Sequence, residues 1–261
     1  MSSEEYVPSL RLQRDARVAT LTIAHPRRLN AMTFEMWESI PRFLKEVAED
    51  PELRVLVLRG GDEKAFSSGA DISQFGERRS TEEGVRLWNS TVQASVAQLA
   101  EFPKPVVALI SGICYGGGFG LALHCDLRYV VGEAAFAIPA AKLGIGYYPS
   151  WLRRLTALVG PAAAKEIMFA SRRYDQAQAL RLGLINDVLD EAAACDMVER
   201  IGGLAPLSHR ASKMAIEEAV VPGAYGTQAC EDAVLECFHS EDYKEGRAAF
   251  QEKRPALFKG C

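Results

Sequence analysis

Three short and almost uninterrupted apolar runs constrain the fold of this chain more than any other feature. They are RVLVLRG at 54–60, KPVVALISG at 104–112 and DLRYVVG at 126–132. Apolar runs of this length without polar alternation are typical of buried β-strands. Before the first run, apolar residues recur at helical spacing over 34–48, and Thr33 is a suitable N-cap for that helix. Strands and helices therefore alternate, which predicts an α/β core.

The rest of the chain extends this pattern in both directions. Residues 9–13 and 17–24 alternate apolar and polar side chains, which predicts two strands around a charged turn. The segment 161–190 has the pattern of two short helices and then a short strand. From about residue 191 the pattern is helical. We therefore expect an α/β core over 1–190 and an α-helical region over 191–261.

Charge and composition exclude several functional classes. The chain of 261 residues has a net charge of −4, and so lacks the basic surface of proteins that bind duplex nucleic acid. No stretch approaches the ~20 apolar residues that a membrane span needs. The first residues, MSSEEYVPSL, lack the layout of a secretory signal, so we expect a cytoplasmic protein.

The cysteines and histidines give no sign of a metal site. Six cysteines are present without a CxxC pair, which is typical of reduced thiols rather than of a disulfide framework. The four histidines are scattered and form no HExxH motif. We expect neither a bound metal nor a separate cofactor.

Two glycine-rich segments carry the strongest functional signal. AFSSGADISQF (65–75) and SGICYGGGFGLAL (111–123) each follow a predicted buried strand and open a helix. Glycine lets the backbone approach a ligand closely, and a helix start offers free N–H groups. Two such N–H groups aimed at one point could stabilise an oxyanion, although tight packing alone is the alternative interpretation. Neither segment matches a P-loop or a dinucleotide-binding fingerprint.

Several linked motifs resemble the crotonase (enoyl-CoA hydratase/isomerase) family over about residues 10–259. They are HPRRLNAM, AFSSGADI, KPVVALISGICYGGGFGLAL, CDLRYV, AFAIPAAKLGIG and SEDYKEGRAAFQEKRPALF, in this order. The resemblance implies a spiral of ββα units and a C-terminal helical region that packs homotrimers, often paired into hexamers. It also implies an acyl-CoA thioester as substrate, with coenzyme A as part of that substrate.

The resemblance assigns roles to particular positions. The backbone N–H groups of Ala70 and Gly117 would form the oxyanion hole. Coenzyme A would contact a larger set, namely Arg27, Arg28, Ser68, Gly69, Ile72, Lys253 and Phe258. For Arg27, Arg28 and Lys253, a solvated surface charge is an equally open interpretation. The polar segment 76–95, interrupted by two glycines, is expected to be a mobile lid over the acyl pocket rather than an ordered helix.

The chain departs from the family where hydration needs acids. Family hydratases carry a glutamate in GGG-x-E and another in F-G-x-P-E, and these two carboxylates hold and activate one water. Here the corresponding residues are Gly120 and Ala140. Some isomerases place an acid further along, at the position of Tyr148. Hydration and ordinary isomerisation are therefore not expected, although the oxyanion hole is retained.

Three functions remain open. One is an enzyme that stabilises an enolate, with decarboxylation of a malonyl-type thioester as its first candidate reaction. AKLGIGYYPSW resembles the methylmalonyl-CoA decarboxylase branch, although that branch has His at the position of Ala70. Tyr147, Tyr148 or His124 would then replace the missing acids. The others are a catalytically silent acyl-CoA binder and, last, an interaction protein that binds no coenzyme A.

Overall fold

The computed structural model describes residues 7–220 and 226–261, and these form an α/β fold. The strands are β1 (Ser9–Asp15), β2 (Val18–Ala24), β3 (Val55–Gly60), β4 (Ala65–Ser67), β5 (Val106–Tyr115), β6 (Leu127–Ala137), β7 (Tyr174–Asp175) and β8 (Asp187–Leu189). The helices are α1 (Phe34–Glu49), α2 (Phe75–Arg78), α3 (Glu82–Ala100), α4 (Gly116–Leu123), α5 (Pro149–Ala170), α6 (Gln176–Leu182), α7 (Glu191–Gly203), α8 (Pro206–Ala219), α9 (Gln228–His239) and α10 (Glu241–Glu252).

One sheet contains the three apolar runs as its centre. Its order is β1-β2-β3-β5-β6-β7, with β4 also paired to β5 and β8 paired to β6. β2, β3, β5 and β6 are parallel neighbours, whereas the hairpin β1–β2 is antiparallel. Both the predicted strands and the α/β class are confirmed. β6 continues to Ala137, beyond the predicted end at 132, because small buried alanines extend it without an apolar run.

Both faces of the sheet are covered, which explains why the central strands are apolar throughout. Leu56 and Leu58 of β3 face the main core, whereas Val55 and Val57 face a second core that includes Val198 of α7. Side chains of a strand alternate between its faces, so a strand with two buried faces needs apolar residues at every position.

In the segment 76–95, residues 76–78 and 82–95 are helical in the structure, so the expectation that it lacks an ordered helix was wrong. Its C-terminal part lies in α3, which begins after Thr81. The Thr81 hydroxyl accepts a hydrogen bond from the N–H of Gly84 at 3.1 Å. Thr81 therefore acts as the N-cap of α3, and Gly84 donates the N–H group that this cap accepts. α3 packs against α1, with its one aromatic residue, Trp88, beside Phe34.

The C-terminal region is helical, as predicted. α7 packs on the sheet, whereas α8, α9 and α10 follow one another with contacts between neighbours. α5 contains a kink at Gly160, which has a φ of 74°. In the two described ranges, no helix is both long and apolar enough to cross a membrane. Those ranges also hold no cluster of three or more His, Cys, Asp or Glu side chains at metal-binding distance.

Candidate functional site

The two glycine turns meet at the ends of β4 and β5, which are parallel neighbours. A Cβ atom placed on Gly69 would lie 3.1 Å from the backbone nitrogen of Gly117. A Cβ placed on Gly117 would lie 3.3 Å from the backbone nitrogen of Ala70. The nitrogens of Ala70 and Gly117 are therefore separated by only a few ångströms, and glycine makes this approach possible.

Both N–H groups are free to bind a ligand. Met32 accepts from the N–H of Asp71 at 2.8 Å and donates to the carbonyl of Gly69 at 2.7 Å. This pairing fixes the backbone on either side of Ala70, whose own N–H has no acceptor among the described residues. Gly117 lies in the first turn of α4, where N–H groups have no intrahelical acceptor, and no side chain caps this helix. The positive end of the α4 dipole adds to the attraction for negative charge.

Tyr147 holds the peptide that carries one of these donors. Its hydroxyl donates to the carbonyl oxygen of Gly116 at 2.7 Å. That carbonyl and the N–H of Gly117 belong to the same peptide unit. Burial raises the pKa of Tyr147 well above its usual value, so the phenol stays protonated and remains a donor. Tyr147 is thus placed to orient the Gly117 N–H rather than to release a proton.

Trp151 occupies the space that a side chain at position 120 would need. A Cβ on Gly120 would lie 1.8 Å from Cζ3 of Trp151. Ala140, at the second expected acid position, is buried in the cavity wall. Among the described residues, no aspartate or glutamate lines this cavity of about 130 Å³. The protein groups that could act as a hydrating acid–base pair are therefore absent from its described walls.

Aromatic rings line much of the cavity. The ring centroid of Trp151 lies 5.2 Å from that of Tyr147, 5.4 Å from that of Tyr148 and 6.5 Å from that of Trp37. The Tyr148 hydroxyl donates to Oδ1 of Asn89 on α3 at 2.5 Å. Burial raises the pKa of Tyr148, so this phenol is neutral too. Both tyrosines expected from the sequence therefore line the cavity.

His124 does not line this cavity. Its ring lies 5.7 Å from that of Trp151, and it lines a separate cavity with residues of α5 and α8. Its Nδ1 lies 2.7 Å from the carbonyl of Gly120, an acceptor, so Nδ1 carries the proton. Burial lowers its pKa to about 4, which keeps the ring neutral at pH 7. The structure thus separates His124 from the glycine turns, and its pKa is not the near-neutral value of a histidine base.

The residues expected to contact coenzyme A divide into two groups. Ser68, Gly69 and Ile72 line the cavity. Arg28 lies at its edge, and its guanidinium pairs with the Asp71 carboxylate at 3.2 Å. Ser68 also donates a hydrogen bond to the Arg28 carbonyl, which ties this loop to the first glycine turn.

The other residues that were expected to contact coenzyme A do not line the cavity of their own chain. Arg27 is exposed. Lys253 ends α10 in a left-handed conformation, and Phe258 packs 3.5 Å from a Cβ placed on Gly246. Phe258 lines a different cavity, between α8, α9 and α10. The structure therefore does not bring Lys253 and Phe258 to the glycine turns of the same chain.

Several residues of the cavity region were not predicted from the sequence, among them Trp37, Arg79 and Asn89. Trp37 lies in α1, where helical spacing marked that face only as core. Arg79 lies at the end of α2, with its guanidinium carbon 4.4 Å from the ring centroid of Phe75. Asn89 holds Tyr148 from a segment expected to be mobile. No local sequence signal identifies these residues, because their roles depend on packing between distant elements.

Comparison with known proteins matches nearly the whole chain to one family. The family model described as enoyl-CoA hydratase/isomerase matches residues 13–261. The chain is 34% identical over 248 residues to the short-chain-enoyl-CoA hydratase of Clostridium acetobutylicum, covering 93% of this chain and 94% of that protein. It is 34% identical over 267 residues to the carnitinyl-CoA dehydratase of Citrobacter koseri, covering 97% and 98%.

A solved structure is also similar to this chain in its fold. The enoyl-CoA hydratase/carnithine racemase of Magnetospirillum magneticum superposes with a TM-score of 0.92 at 31% identity. The superposition covers 97% of this chain and 96% of that one. The expected spiral fold with its helical C-terminal region is thus confirmed.

Proposed function

The chain belongs to the enoyl-CoA hydratase/isomerase family, and from this we propose that it binds an acyl-CoA thioester and stabilises the enolate formed from it. The observation that carries the proposal is the close approach of the Ala70 and Gly117 nitrogens. A thioester carbonyl placed between them would accept both N–H groups. As negative charge develops on that oxygen, both hydrogen bonds strengthen. Loss of one such donor typically raises the barrier by ~3–4 kcal/mol.

Water addition is not part of the proposal. Adding water to an enoyl thioester needs a base for the water and an acid for the α-carbon. Trp151 occupies the space that a side chain at position 120 would need, and position 140 in the cavity wall is an alanine. The two cavity tyrosines stay protonated because burial raises the pKa of each, so neither is a base near neutral pH.

Decarboxylation of a malonyl-type thioester is the reaction that the missing acids favour. The bond between the α-carbon and the carboxylate carbon breaks, and carbon dioxide leaves. The electron pair of that bond moves into the enolate, whose oxygen lies between the Ala70 and Gly117 N–H groups. The α-carbon then takes a proton from water. No protein base is needed to start this sequence, which is why a cavity without carboxylates can carry it out.

Mass spectrometry of the thioesters tests these reactions directly. The purified protein is incubated with crotonyl-CoA and, separately, with methylmalonyl-CoA. The proposal expects loss of carbon dioxide from methylmalonyl-CoA and no addition of water to crotonyl-CoA. Hydration of crotonyl-CoA would contradict the interpretation of Gly120 and Ala140. Binding of both thioesters without turnover would favour a silent acyl-CoA binder.

A Gly117→Ala variant provides the matched test of the oxyanion hole. The new methyl group would lie 3.3 Å from the Ala70 nitrogen and crowd the space for a carbonyl oxygen. Alanine is the better helix former, so α4 should still fold. Gly203→Ala in α7 is the control, because no atom of the described residues lies within 4 Å of its added Cβ. Turnover should fall at least ~100-fold in the first variant and stay unchanged in the second.

The proposed assembly is a homotrimer, alone or paired into a hexamer. Large apolar side chains of the C-terminal helices are exposed in the single chain, with Phe238 at 54% and Phe250 at 86%. Exposed apolar groups of this size are typical of protein interfaces. Sedimentation velocity should show a trimer or hexamer at micromolar concentration, and a monomer would contradict the proposal.

A further inference from the structure

Arg79 places a positive charge at the cavity without an ionic partner. Its guanidinium carbon lies 4.4 Å from the ring centroid of Phe75 and 6.0 Å from that of Trp88, and all three residues line the cavity. The side chain is half-buried. Within 7–220 and 226–261, no carboxylate lies within ion-pair distance of it. Its neighbour Arg78 differs, since it pairs with Glu35 at 2.8 Å outside the cavity.

No aspartate or glutamate is found among the described residues that line the cavity around Arg79, so no acidic side chain compensates the guanidinium charge there. Stacking on aromatic rings fixes a guanidinium but leaves its N–H donors available in the plane of the group. These donors match the two oxygens of a carboxylate. A site of this kind favours an anionic group on the ligand.

We propose that the acyl group bound by this protein carries a carboxylate, and that Arg79 pairs with it. The proposal rests on the proposed function, because it places the thioester between Ala70 and Gly117. It also gives a physical reason for the missing acids. A glutamate at position 120 or 140 would repel a carboxylated acyl group, whereas Trp151 and Ala140 do not.

Two kinds of thioester share this chemistry. In a malonyl-type thioester the carboxylate leaves as carbon dioxide, and pairing with Arg79 serves to bind the substrate rather than to promote cleavage of the bond to the α-carbon. In a longer dicarboxylic thioester the carboxylate is retained and serves to align the acyl chain. The length of the preferred acyl group distinguishes these two sources.

Binding calorimetry with matched thioesters tests the proposal. Each dicarboxylic thioester is paired with the neutral one of equal carbon number, namely malonyl- with propionyl-CoA, succinyl- with butyryl-CoA and glutaryl- with valeryl-CoA. Because both members carry the same coenzyme A, contacts to its phosphates cancel. We expect at least one dicarboxylic member to bind at least ~10-fold more tightly than its neutral partner. A preference for malonyl-CoA, with carbon dioxide released, identifies the leaving carboxylate. A preference at the longer lengths identifies the retained one.

Three variants separate recognition by Arg79 from a structural role. Arg79→Gln should remove the preference while leaving the affinity for the neutral thioesters within ~2-fold. Arg79→Lys keeps the charge without the paired donors and should keep part of the preference. Arg78→Gln is the control and should keep all of it. Equal affinities within every pair, or an equal loss for both members in Arg79→Gln, would overturn the proposal.

The outcomes also separate this proposal from the function on which it rests. Binding of the neutral thioesters without any preference refutes only the carboxylate proposal. Absence of binding for all six thioesters refutes the proposed function as well.

Discussion

Replacing Tyr147 by phenylalanine tests whether this phenol positions the oxyanion hole or transfers a proton. The variant removes only the hydroxyl that donates to the Gly116 carbonyl at 2.7 Å. A hydrogen bond on one side of a peptide strengthens the bond on its other side by about 10–30%. An oxyanion donor contributes ~3–4 kcal/mol, so the variant should lose ~0.3–1.2 kcal/mol of transition-state stabilisation.

This loss corresponds to a decrease in kcat of about two- to eight-fold, with KM nearly unchanged. Removal of a general acid costs far more, typically ~100- to ~10,000-fold. The assay is steady-state turnover of the thioester that the mass-spectrometric experiment identifies. Tyr148→Phe is the matched control, because that hydroxyl donates to Asn89 and not to the oxyanion peptide. A decrease of ~100-fold or more in Tyr147→Phe alone would refute the positioning role.

Three further predictions concern stability and its pH dependence. Gly120→Ala should lower the free energy of unfolding by ~1–3 kcal/mol in urea titrations, since the new Cβ overlaps Trp151; an unchanged midpoint would contradict this packing. Gly116→Ala should cost ~1–2 kcal/mol through backbone strain alone, because φ is 48° there and no atom of the described chain lies within 4 Å of the added Cβ. Burial lowers the pKa of His124 to about 4, so the unfolded chain binds more protons than the folded one between pH 4 and 6.5. The free energy of unfolding should therefore fall by up to ~3 kcal/mol as the pH drops through that window. His124→Gln should flatten this dependence. Equal slopes of unfolding free energy against pH for the wild type and the variant would exclude His124 as the source.

Sequence patterns predicted the parts of the fold that local chemistry determines. The central strands β3, β5 and β6 were visible because burial on both faces demands apolar residues at successive positions. The glycine turns at the strand ends marked the two segments that contain Ala70 and Gly117. The resemblance to a family, which is carried by local motifs, then implied the oxyanion-hole role of these two residues.

Contacts between distant elements could not be predicted in this way. The sequence shows that Gly120 is not an acid, but only the structure shows that Trp151, 31 positions later in the sequence, fills its place. Arg79 looked like any surface charge, because its aromatic neighbours come from two different helices. The helical part of 76–95 was missed because Thr81 and Gly84 have the composition of a loop and yet form a helix cap.

In the proposed function, the Ala70 and Gly117 N–H groups polarise the thioester carbonyl of the substrate. Infrared spectroscopy of butyryl-CoA labelled with ¹³C at the thioester carbonyl measures this polarisation, even for a thioester that is not turned over. Binding should shift the carbonyl stretch to lower frequency, Gly117→Ala should abolish the shift, and Gly203→Ala should preserve it. A bound thioester whose carbonyl frequency equals that in water would exclude this polarisation.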